Sequence, residues 1–535
     1  MPLVPERTLP QGSLLQEVTP IEGRRFVVVS NREPFAHVRT ESGIKMEKPP
    51  SGLTLALEPM MQATRGTWIA TASGNADAEF VDARGHVLPT PGVDYGLRRL
   101  FLPPRMTEDF YTGFSNSCLW PLCHIAYYKP RFEERWWRAY VRANEQFAEA
   151  VADEIGAEPA VVFVQDFQLA LLPEMIRRRR PQAVIAQFWH IPWPNPEAFR
   201  ICPWRRELLQ GLLGNDLLGF HLPYHCNNFL DTVDRELQVR LDPERHGVVS
   251  SDRLTTVAAF PLSVDFSRIH ARVRQPEAQA EAELLRQRHA QGRKLVLSVE
   301  RMDYTKGILE RIEAIQRLFE RHPAVKEAVS FVHIATPSRT GVRAYRDYTA
   351  AVERAIARVN AVHGQPGWQP IHAMHNYVEP EAVWVWYHAA DAVVVSSLHD
   401  GMNLVSKEFV AAGRDDGVLF LSEFTGASRE LREAVSVNPY ATDAFAEALA
   451  TGLAMPEPER RERMRRLRWR VANADVGVWA RDILRAIRQR EFDAQNALFA
   501  PRGGAHGWNG AAGDGADRPQ VEAAVVPRPA RAGSH

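Results

Sequence analysis

The chain has 535 residues and a formal net charge of zero, because 65 basic side chains balance 65 acidic ones. This balance argues against a general nucleic-acid binder or a protein that coats anionic membranes. No apolar run approaches the ~18 residues that a membrane-spanning helix needs, and residues 1–22 lack the apolar core of a signal peptide. We therefore expect a cytoplasmic protein of two or more domains, with neither nucleic acid nor membrane as a partner.

Short apolar runs alternate with long amphipathic segments. Helical periodicity marks 131–154, 342–363, 457–471 and 476–490. Runs rich in β-branched residues predict strands buried on both faces of a parallel sheet, at 26–30, 160–164, 183–189, 216–220, 256–260, 294–299, 329–334, 391–396 and 418–421. The alternation predicts an α/β fold with doubly wound parallel sheets.

These strands are too many for one compact sheet, and strand character is lost over 265–290. We therefore predict two Rossmann-like domains that face a cleft, at 24–265 and 266–475, followed by a helix at 476–495. Residues 1–23 are polar, and residues 496–535 are rich in Gly, Ala and Pro. Neither segment can build a core, so both are predicted to be disordered tails.

Polar residues stand just after six of the predicted strands. Because ligands of open α/β sheets bind outside the carboxyl ends of the strands, three such groups from each domain predict a single cleft. They are Asn31 with Arg32, Asp166, His190, Arg301, Ser338 with Arg339, and His399 with Asp400.

The sequence lacks several common motifs that bind cofactors or metals. A dinucleotide enzyme places Gly-x-Gly-x-x-Gly after its first strand, whereas Asn31-Arg32-Glu33-Pro34 stands there in this chain. No P-loop, His-Glu-x-x-His or Asp-x-Asp motif occurs, and the four cysteines have no zinc-type spacing. We expect reduced, buried thiols, no cofactor and no bound metal.

Two segments could hold a diphosphate without a metal. Arg301 and Lys306 lie five residues apart in a strand-to-helix turn, where two fixed cations suit a diphosphate; the alternative is a solvated turn with Asp303 as counter-ion. In the second segment, Gly401 permits a tight turn and a helix beginning near Asn403 points free N–H groups into the cleft. The alternative there is an ordinary capped helix with Lys407 outside.

Two further segments carry weaker signals. The turn Pro50-Ser51-Gly52-Leu53 would let backbone approach a phosphate closely. Four consecutive arginines at 177–180 end a helix predicted at 169–176. Cations at a helix C-terminus interact favourably with the macrodipole, so we interpret these arginines as a solvated helix end.

Taken together, the motifs resemble the trehalose-6-phosphate synthase family, which are retaining glucosyltransferases of the two-Rossmann (GT-B) type. The resemblance runs from about residue 24 to 495. It rests on Ser30-Asn31-Arg32, Phe114-Ser115-Asn116 with Leu119-Trp120-Pro121, His190-Ile191-Pro192-Trp193-Pro194, Ser298-Val299-Glu300-Arg301 to Lys306-Gly307, and Asp400-Gly401-Met402-Asn403-Leu404-Val405 to Lys407-Glu408.

The resemblance implies a role for each matching residue. The catalytic set would be Arg301, Lys306, His190, Asp166 and Asp400. The donor would be bound by Gly52, Gly401, Met402, Asn403, Leu404 and Glu408, with Glu408 on the ribose. The acceptor phosphate would be held by Arg32, Tyr111, Trp120 and Arg339, with Trp68 nearby. The last helix would cross back onto the first domain.

The implied reaction joins a nucleotide-diphosphate glucose, UDP-glucose in the first place, to glucose 6-phosphate and gives α,α-trehalose 6-phosphate in trehalose biosynthesis. Arg32-Glu33-Pro34-Phe35 also resembles the glucosylglycerol-phosphate synthases, which use glycerol 3-phosphate. A catalytically silent sugar-phosphate sensor is the alternative from another class, and a nicotinamide dehydrogenase is disfavoured. The chain departs from most relatives at Ser51, Gln165, Gln168 and His399. The oligomeric state is left open, a homo-oligomer included.

Overall fold

The structure is a computed structural model that describes residues 24–48, 52–90, 92–250 and 253–499. The strands are β1 (Arg25–Arg32), β2 (Ala36–Thr40), β3 (Gly43–Glu47), β4 (Thr67–Thr71), β5 (Gly96–Leu100), β6 (Ala160–Gln165), β7 (Val184–Phe188), β8 (Leu217–Phe220), β9 (Arg240–Asp242), β10 (Gly247–Ser250), β11 (Arg253–Ala259), β12 (Lys294–Arg301), β13 (Val329–Thr336), β14 (Ile371–Met374), β15 (Ala392–Val395), β16 (Val418–Ser422) and β17 (Val435–Val437).

The α-helices of the described residues are α1 (Gly52–Thr64), α2 (Pro104–Thr107), α3 (Trp120–His124), α4 (Glu134–Ile155), α5 (Leu172–Arg179), α6 (Pro196–Phe199), α7 (Arg205–Leu212), α8 (Pro223–Glu236), α9 (Phe266–Val273), α10 (Pro276–His289), α11 (Ile308–Arg321), α12 (Arg343–His363), α13 (Pro380–Ala389), α14 (Leu404–Ala412), α15 (Thr442–Ala454), α16 (Glu457–Asn473) and α17 (Val476–Phe499). A π-helix, Glu108–Leu119, joins α2 to α3.

Two large sheets organise these elements. Within the described residues, the first has the order β5-β4-β1-β6-β7-β8-β11-β10-β9 and the second the order β14-β13-β12-β15-β16-β17. Counted in chain order, β1 and β4–β8 are arranged 3-2-1-4-5-6, and β12–β17 repeat that arrangement with every pair parallel. In both sheets the order therefore reverses beside the first strand, between β1 and β6 and between β12 and β15, which is where α/β sheets bind ligands.

Both sheets belong to one compact unit. The predicted boundary at 265 and 266 falls between β11 and α9, where Asp265 caps α9 by accepting a hydrogen bond from the backbone N–H of Arg268. Helix α17 then returns to the first sheet. Its apolar residues Trp479 and Ile483 pack in the same buried cluster as Phe26 and Phe188 of that sheet.

Some elements differ from the sequence prediction. The nine predicted strands are present with ends shifted by a few residues, but β2–β5, β9, β10, β14 and β17 were not predicted. Most of these are short or lie at sheet edges; β3, for example, is mostly exposed and has no buried alternation. Helix α17 extends to Phe499 in the described residues, beyond the predicted end at residue 495. The rest of the predicted tails lies outside the described residues.

Arg177 corrects the interpretation of 177–180 as a solvated helix end. Its side chain is only 8% exposed and pairs with Asp216 at 2.6 Å, and it donates to the carbonyl oxygen of Gly214. Arg177 also donates to the carbonyl oxygens of Pro181 and Ala183, so the buried guanidinium is satisfied by hydrogen bonds within the protein. Arg178, with 76% of its side chain exposed, fits the prediction.

No helix in the described part of the chain is long and apolar enough to cross a membrane.

Candidate active site

A cavity of about 770 Å³ lies between the carboxyl ends of the two sheets. Its lining comes from both sheets and includes most of the residues that the sequence predicted for the site, namely Arg32, Tyr111, Trp120, Asp166, His190, Arg301, Lys306, Arg339, Asp400, Gly401, Met402, Asn403, Leu404 and Glu408. The topology thus brings together side chains that lie up to 376 residues apart in sequence, from Arg32 to Glu408.

Two of the residues to which the resemblance assigns a role do not line this cavity, and neither does His399, which the sequence placed in the same cleft. Trp68 is completely buried, and its indole Nε1 donates to the hydroxyl of Ser30 at 2.8 Å. This corrects its placement in the acceptor site: Trp68 supports Ser30, which lines the cavity, from behind. Gly52 is the first residue of α1, and residues 49–51 before it lie outside the described residues. Its role at the donor stays a prediction.

Lys306 and Asp400 meet at the switch point of the second sheet. Lys306 Nζ lies 2.6 Å from Asp400 Oδ2, which also accepts hydrogen bonds from Asn403 Nδ2 at 3.2 Å and from Ser397 Oγ at 3.3 Å. Burial alone would raise the pKa of Asp400, but the Lys306 ammonium and the Asn403 hydrogen bond together outweigh it and hold that pKa well below its usual range. The site therefore contains a fixed cation and an ionised carboxylate that can accept from sugar hydroxyls.

The start of α14 faces the cavity. Asn403 adopts a left-handed backbone with φ 82°, and its Oδ1 accepts from the Ser406 N–H at 2.9 Å, which caps the helix. Gly401 approaches the first sheet so closely that a Cβ there would lie 2.6 Å from the carbonyl oxygen of His190. Gly401 thus lets the helix N-terminus, an intrinsic anion site, reach the sheet opposite.

Arginines from the second sheet surround one indole ring. The Arg339 guanidinium lies 4.0 Å from the Trp120 ring centroid and that of Arg301 lies 5.2 Å from it. Arg339 Nη1 donates to Asp303 Oδ2 at 3.1 Å and also contacts the Tyr345 hydroxyl. Arg339 Nε and Trp120 Nε1 are buried without a protein hydrogen-bond partner in the described residues, which is typical of places where a ligand or water completes the bonding.

The π-helix sets the position of Tyr111 and Trp120. Within it, Ser115 Oγ and Asn116 Nδ2 donate to the carbonyl oxygens five residues earlier, at 2.9 and 2.8 Å. These side-chain bonds favour the wider turn over an ordinary α-helix. Burial would raise the pKa of Tyr111, but Arg339, Arg32 and Arg301 lower it below the usual value. The Tyr111 hydroxyl therefore lies in a strongly positive field built from both sheets.

Asp166 lies at the switch point of the first sheet, and His190 follows the neighbouring strand β7. Asp166 has φ 70°, and its Oδ1 accepts the backbone N–H of His190 at 3.1 Å. Burial raises the pKa of Asp166 to about 7, whereas burial lowers the pKa of His190 to about 3. His190 is thus a neutral imidazole near pH 7, with its Nε2 bonded to Gln165 at 3.1 Å. Gln165 takes part in orienting this ring.

Glu408 lies beside aromatic residues that the sequence analysis did not predict. The hydroxyl of Tyr387 donates to Glu408 Oε2 at 3.3 Å, and burial raises the pKa of Glu408 to about 7. Tyr387, Trp384 and Tyr377 all line the cavity. Tyr387 and Trp384 lie on α13, where aromatic residues have the pattern of ordinary core residues, and Tyr377 precedes that helix, so the sequence carries no signal for them.

His399 links the segments that follow the two sheets. Its Nδ1 donates to the backbone carbonyl oxygen of His124 at 2.7 Å. His124 also lines the cavity and was not predicted. Nearby, the rings of Tyr128 and Tyr304 stack with centroids 3.9 Å apart. These contacts hold the cavity's two sides together beside Trp120.

Across residues 24–48, 52–90, 92–250 and 253–499, no three His, Cys, Asp or Glu side chains are grouped so that they could hold a metal ion.

Comparison with known proteins identifies the family. The model of a family described as glycosyltransferase family 20 matches residues 24–489. The chain belongs to glycosyltransferase family 20. A family 20 relative, the trehalose-6-phosphate synthase of Mycolicibacterium gilvum (strain PYR-GCK), is 39% identical over 488 residues, which are 89% of this chain and 96% of the relative.

Solved structures agree with this family assignment. The α,α-trehalose-phosphate synthase (UDP-forming) from Burkholderia xenovorans, in complex with glucose-6-phosphate, is 30% identical with a TM-score of 0.77 and covers 87% of this chain and 100% of its own. An E. coli structure bound with UDP-2-fluoro glucose is 29% identical, also with a TM-score of 0.77, and covers 87% and 99%. The prediction of two Rossmann-like sheets in a GT-B arrangement is confirmed.

Proposed function

We propose that this family 20 chain transfers glucose from a nucleotide-diphosphate glucose, UDP-glucose in the first place, to glucose 6-phosphate. The product is α,α-trehalose 6-phosphate, with the α configuration retained. The observation that carries the proposal is one cavity with two cationic groups, Lys306 beside the start of α14 and Arg339 beside Tyr111. Donor and acceptor both bring phosphates, so a bisubstrate site needs both groups.

The donor half can stabilise a leaving nucleoside diphosphate. When the glycosidic bond breaks, negative charge develops on the phosphate oxygen. Lys306, Arg301 and the start of α14 all line the cavity, and positive groups that are in place before the reaction give the largest contribution in many enzymes. Because they supply positive charge at that point, we propose that the reaction proceeds without a bound metal or other cofactor.

The remaining residues orient the two sugars. Asp400, ionised by its contact with Lys306, accepts hydroxyls of the donor glucose. Neutral His190 and Asp166 line the junction between donor and acceptor and offer hydrogen bonds without a net positive charge at pH 7. With retention, the acceptor hydroxyl attacks the face from which the diphosphate leaves. A donor phosphate oxygen then takes the acceptor proton, so no carboxylate nucleophile is required.

The residues around Arg339 favour a sugar phosphate as the acceptor substrate. Arg339 and Arg32 come from different sheets, and Tyr111 and Trp120 complete the wall between them. The M. gilvum relative and the glucose-6-phosphate complex from B. xenovorans support this assignment. Glycerol 3-phosphate, the substrate of the glucosylglycerol-phosphate branch, has no pyranose ring to contact Asp166 and His190.

A donor-by-acceptor matrix tests the proposal. UDP-, ADP- and GDP-glucose are each incubated with glucose 6-phosphate or glycerol 3-phosphate, nucleoside diphosphate release is followed, and the product is identified by mass spectrometry and NMR. We expect the highest kcat/KM with glucose 6-phosphate and an α,α-1,1 linkage. Preference for glycerol 3-phosphate would assign the chain to the other branch, and no release with any pair would indicate a sensor.

A further inference from the structure

Asp303 is a fully buried carboxylate that does not line the cavity but contacts the arginines that do. Its Oδ2 lies 3.1 Å from Arg339 Nη1 and 3.6 Å from Arg301 Nη2. Arg339 is proposed to bind the phosphate of the acceptor substrate, and Arg301 is proposed to bind the diphosphate of the donor substrate. One carboxylate therefore touches both phosphate-binding groups from behind.

The two guanidiniums need such a counter-ion. Both lie over the same Trp120 ring, at 4.0 and 5.2 Å from its centroid. Like charges this close repel one another, and the repulsion is stronger at a partly buried site than in water. A negative charge between them offsets that repulsion and allows both side chains to stay on one aromatic surface.

Asp303 is itself held rigidly. Its Oδ1 accepts the backbone N–H of Thr305 at 3.1 Å and the Thr305 hydroxyl at 3.0 Å. The Tyr345 hydroxyl donates to Oδ2 at 3.3 Å and also contacts Arg339. Thr305 and Tyr345 are both buried, so the carboxylate has little freedom to follow a moving arginine. The immobile carboxylate therefore holds the two guanidiniums in position.

We propose that Asp303 is a positioning residue, the shared counter-ion that holds Arg339 for the acceptor phosphate and Arg301 for the leaving diphosphate. The proposal rests on the function assigned above to the two arginines. Asp303 acts through them and touches neither substrate. Its charge sets the distance between the two bound phosphates, and that distance decides whether acceptor and donor carbon meet in a reactive geometry.

Asp303→Asn separates this role from a structural one. The substitution keeps the shape and removes the charge, so the site gains one net positive charge while its arginines lose their fixed place. We expect kcat to fall about 10–100-fold, the scale of a misplacement of about 1 Å. Binding of UDP and of inorganic phosphate, measured by calorimetry, should stay unchanged or tighten, because attraction of anions does not need the precise geometry.

Asp216→Asn is the matched control. It removes the counter-ion of Arg177, another buried arginine, which lies outside the cavity lining. This variant should lower Tm and leave kcat and the UDP affinity near wild type. A structural role for Asp303 would give the same pattern, so equal behaviour of the two variants overturns the proposal.

Combination with Arg301→Ala tests whether Asp303 acts through the arginine. If it does, adding Asp303→Asn to Arg301→Ala lowers kcat by less than Asp303→Asn does alone, because the effect through Arg301 is already lost and only the effect through Arg339 remains. Fully multiplicative losses overturn the proposal. If Arg301→Ala by itself leaves kcat unchanged, the proposed function of the site fails instead, which is a different result.

Tyr345→Phe carries the test if Asp303→Asn does not fold. This variant keeps every charge and removes the hydroxyl that bonds both Asp303 and Arg339. We expect the KM for glucose 6-phosphate to rise about 2–10-fold, as for loss of one hydrogen bond, with the UDP affinity unchanged. An unaltered KM in this variant overturns the proposal.

Discussion

Arg339→Ala should weaken the acceptor far more than the donor. The Arg339 side chain is 8% exposed, lies 4.0 Å over the Trp120 ring and is tied to Asp303 at 3.1 Å. It is therefore fixed before any ligand arrives, and a phosphate that binds it does not have to order a mobile side chain. Removing it takes away both a charge and that preorganisation.

The expected size follows from the bonds that are lost. A hydrogen bond to a charged group contributes about 1.5–3 kcal/mol. Since every 1.4 kcal/mol is a factor of ten, loss of one such bond to the acceptor phosphate raises KM about 10–150-fold. The alanine variant also leaves Asp303 with Arg301, 3.6 Å away, as its nearest remaining guanidinium. A lower Tm is therefore expected as well.

Steady-state kinetics with each substrate varied in turn provide the assay. The KM for glucose 6-phosphate should rise by the stated factor, while the KM for UDP-glucose changes less than about threefold. Arg343→Ala is the control, because that arginine stands four residues away with 84% of its side chain exposed. An Arg339→Ala enzyme that is folded and keeps its glucose 6-phosphate KM would refute the assignment of the acceptor site.

Further predictions concern the donor half, the contact between the sheets and pH. Lys306→Ala should lower kcat about 10²–10³-fold, as loss of one transition-state donor does in other enzymes, and near-normal turnover would contradict its role. Gly401→Ala should reduce activity strongly, since its Cβ would lie 2.6 Å from the His190 carbonyl oxygen; unchanged kinetics would show that the contact is loose. Activity should survive EDTA, and loss that Mg²⁺ restores would disprove metal independence. The raised pKa of Asp166, about 7 against a usual 3.8, means that the protonated carboxyl contributes stability that is present below about pH 4 and lost as pH rises through about 7. The Tm of Asp166→Asn should therefore rise relative to the Tm of wild type as pH increases from 4 to 8. A Tm difference that does not change with pH would contradict the raised pKa.

The sequence was sufficient for the fold class and for much of the cavity lining. Strands such as Lys294–Arg301 are buried on both faces, so they appear as continuous apolar runs, and the polar residue that ends each run marks the carboxyl edge. Arg301, Lys306, Asp400 and Glu408 were found in this way or through local motifs. Edge strands such as Gly43–Glu47 were missed because partial exposure leaves no apolar pattern.

Contacts between residues that lie far apart in the sequence were determined only by the tertiary structure. The resemblance places Trp68 near the acceptor, yet it lies under Ser30 because β4 pairs beside β1. Arg177 looks solvated in sequence, yet the strand-end carbonyls around it make it a buried donor. Asp303 appears in sequence as the counter-ion of a turn, and the fold alone gives it a partner 36 residues away in Arg339. Sequence spacing determines which residues share a strand or a helix turn. Side chains from distant segments come into contact only when the sheets pack. These contacts determine the burial, the pKa and the partners of each site residue.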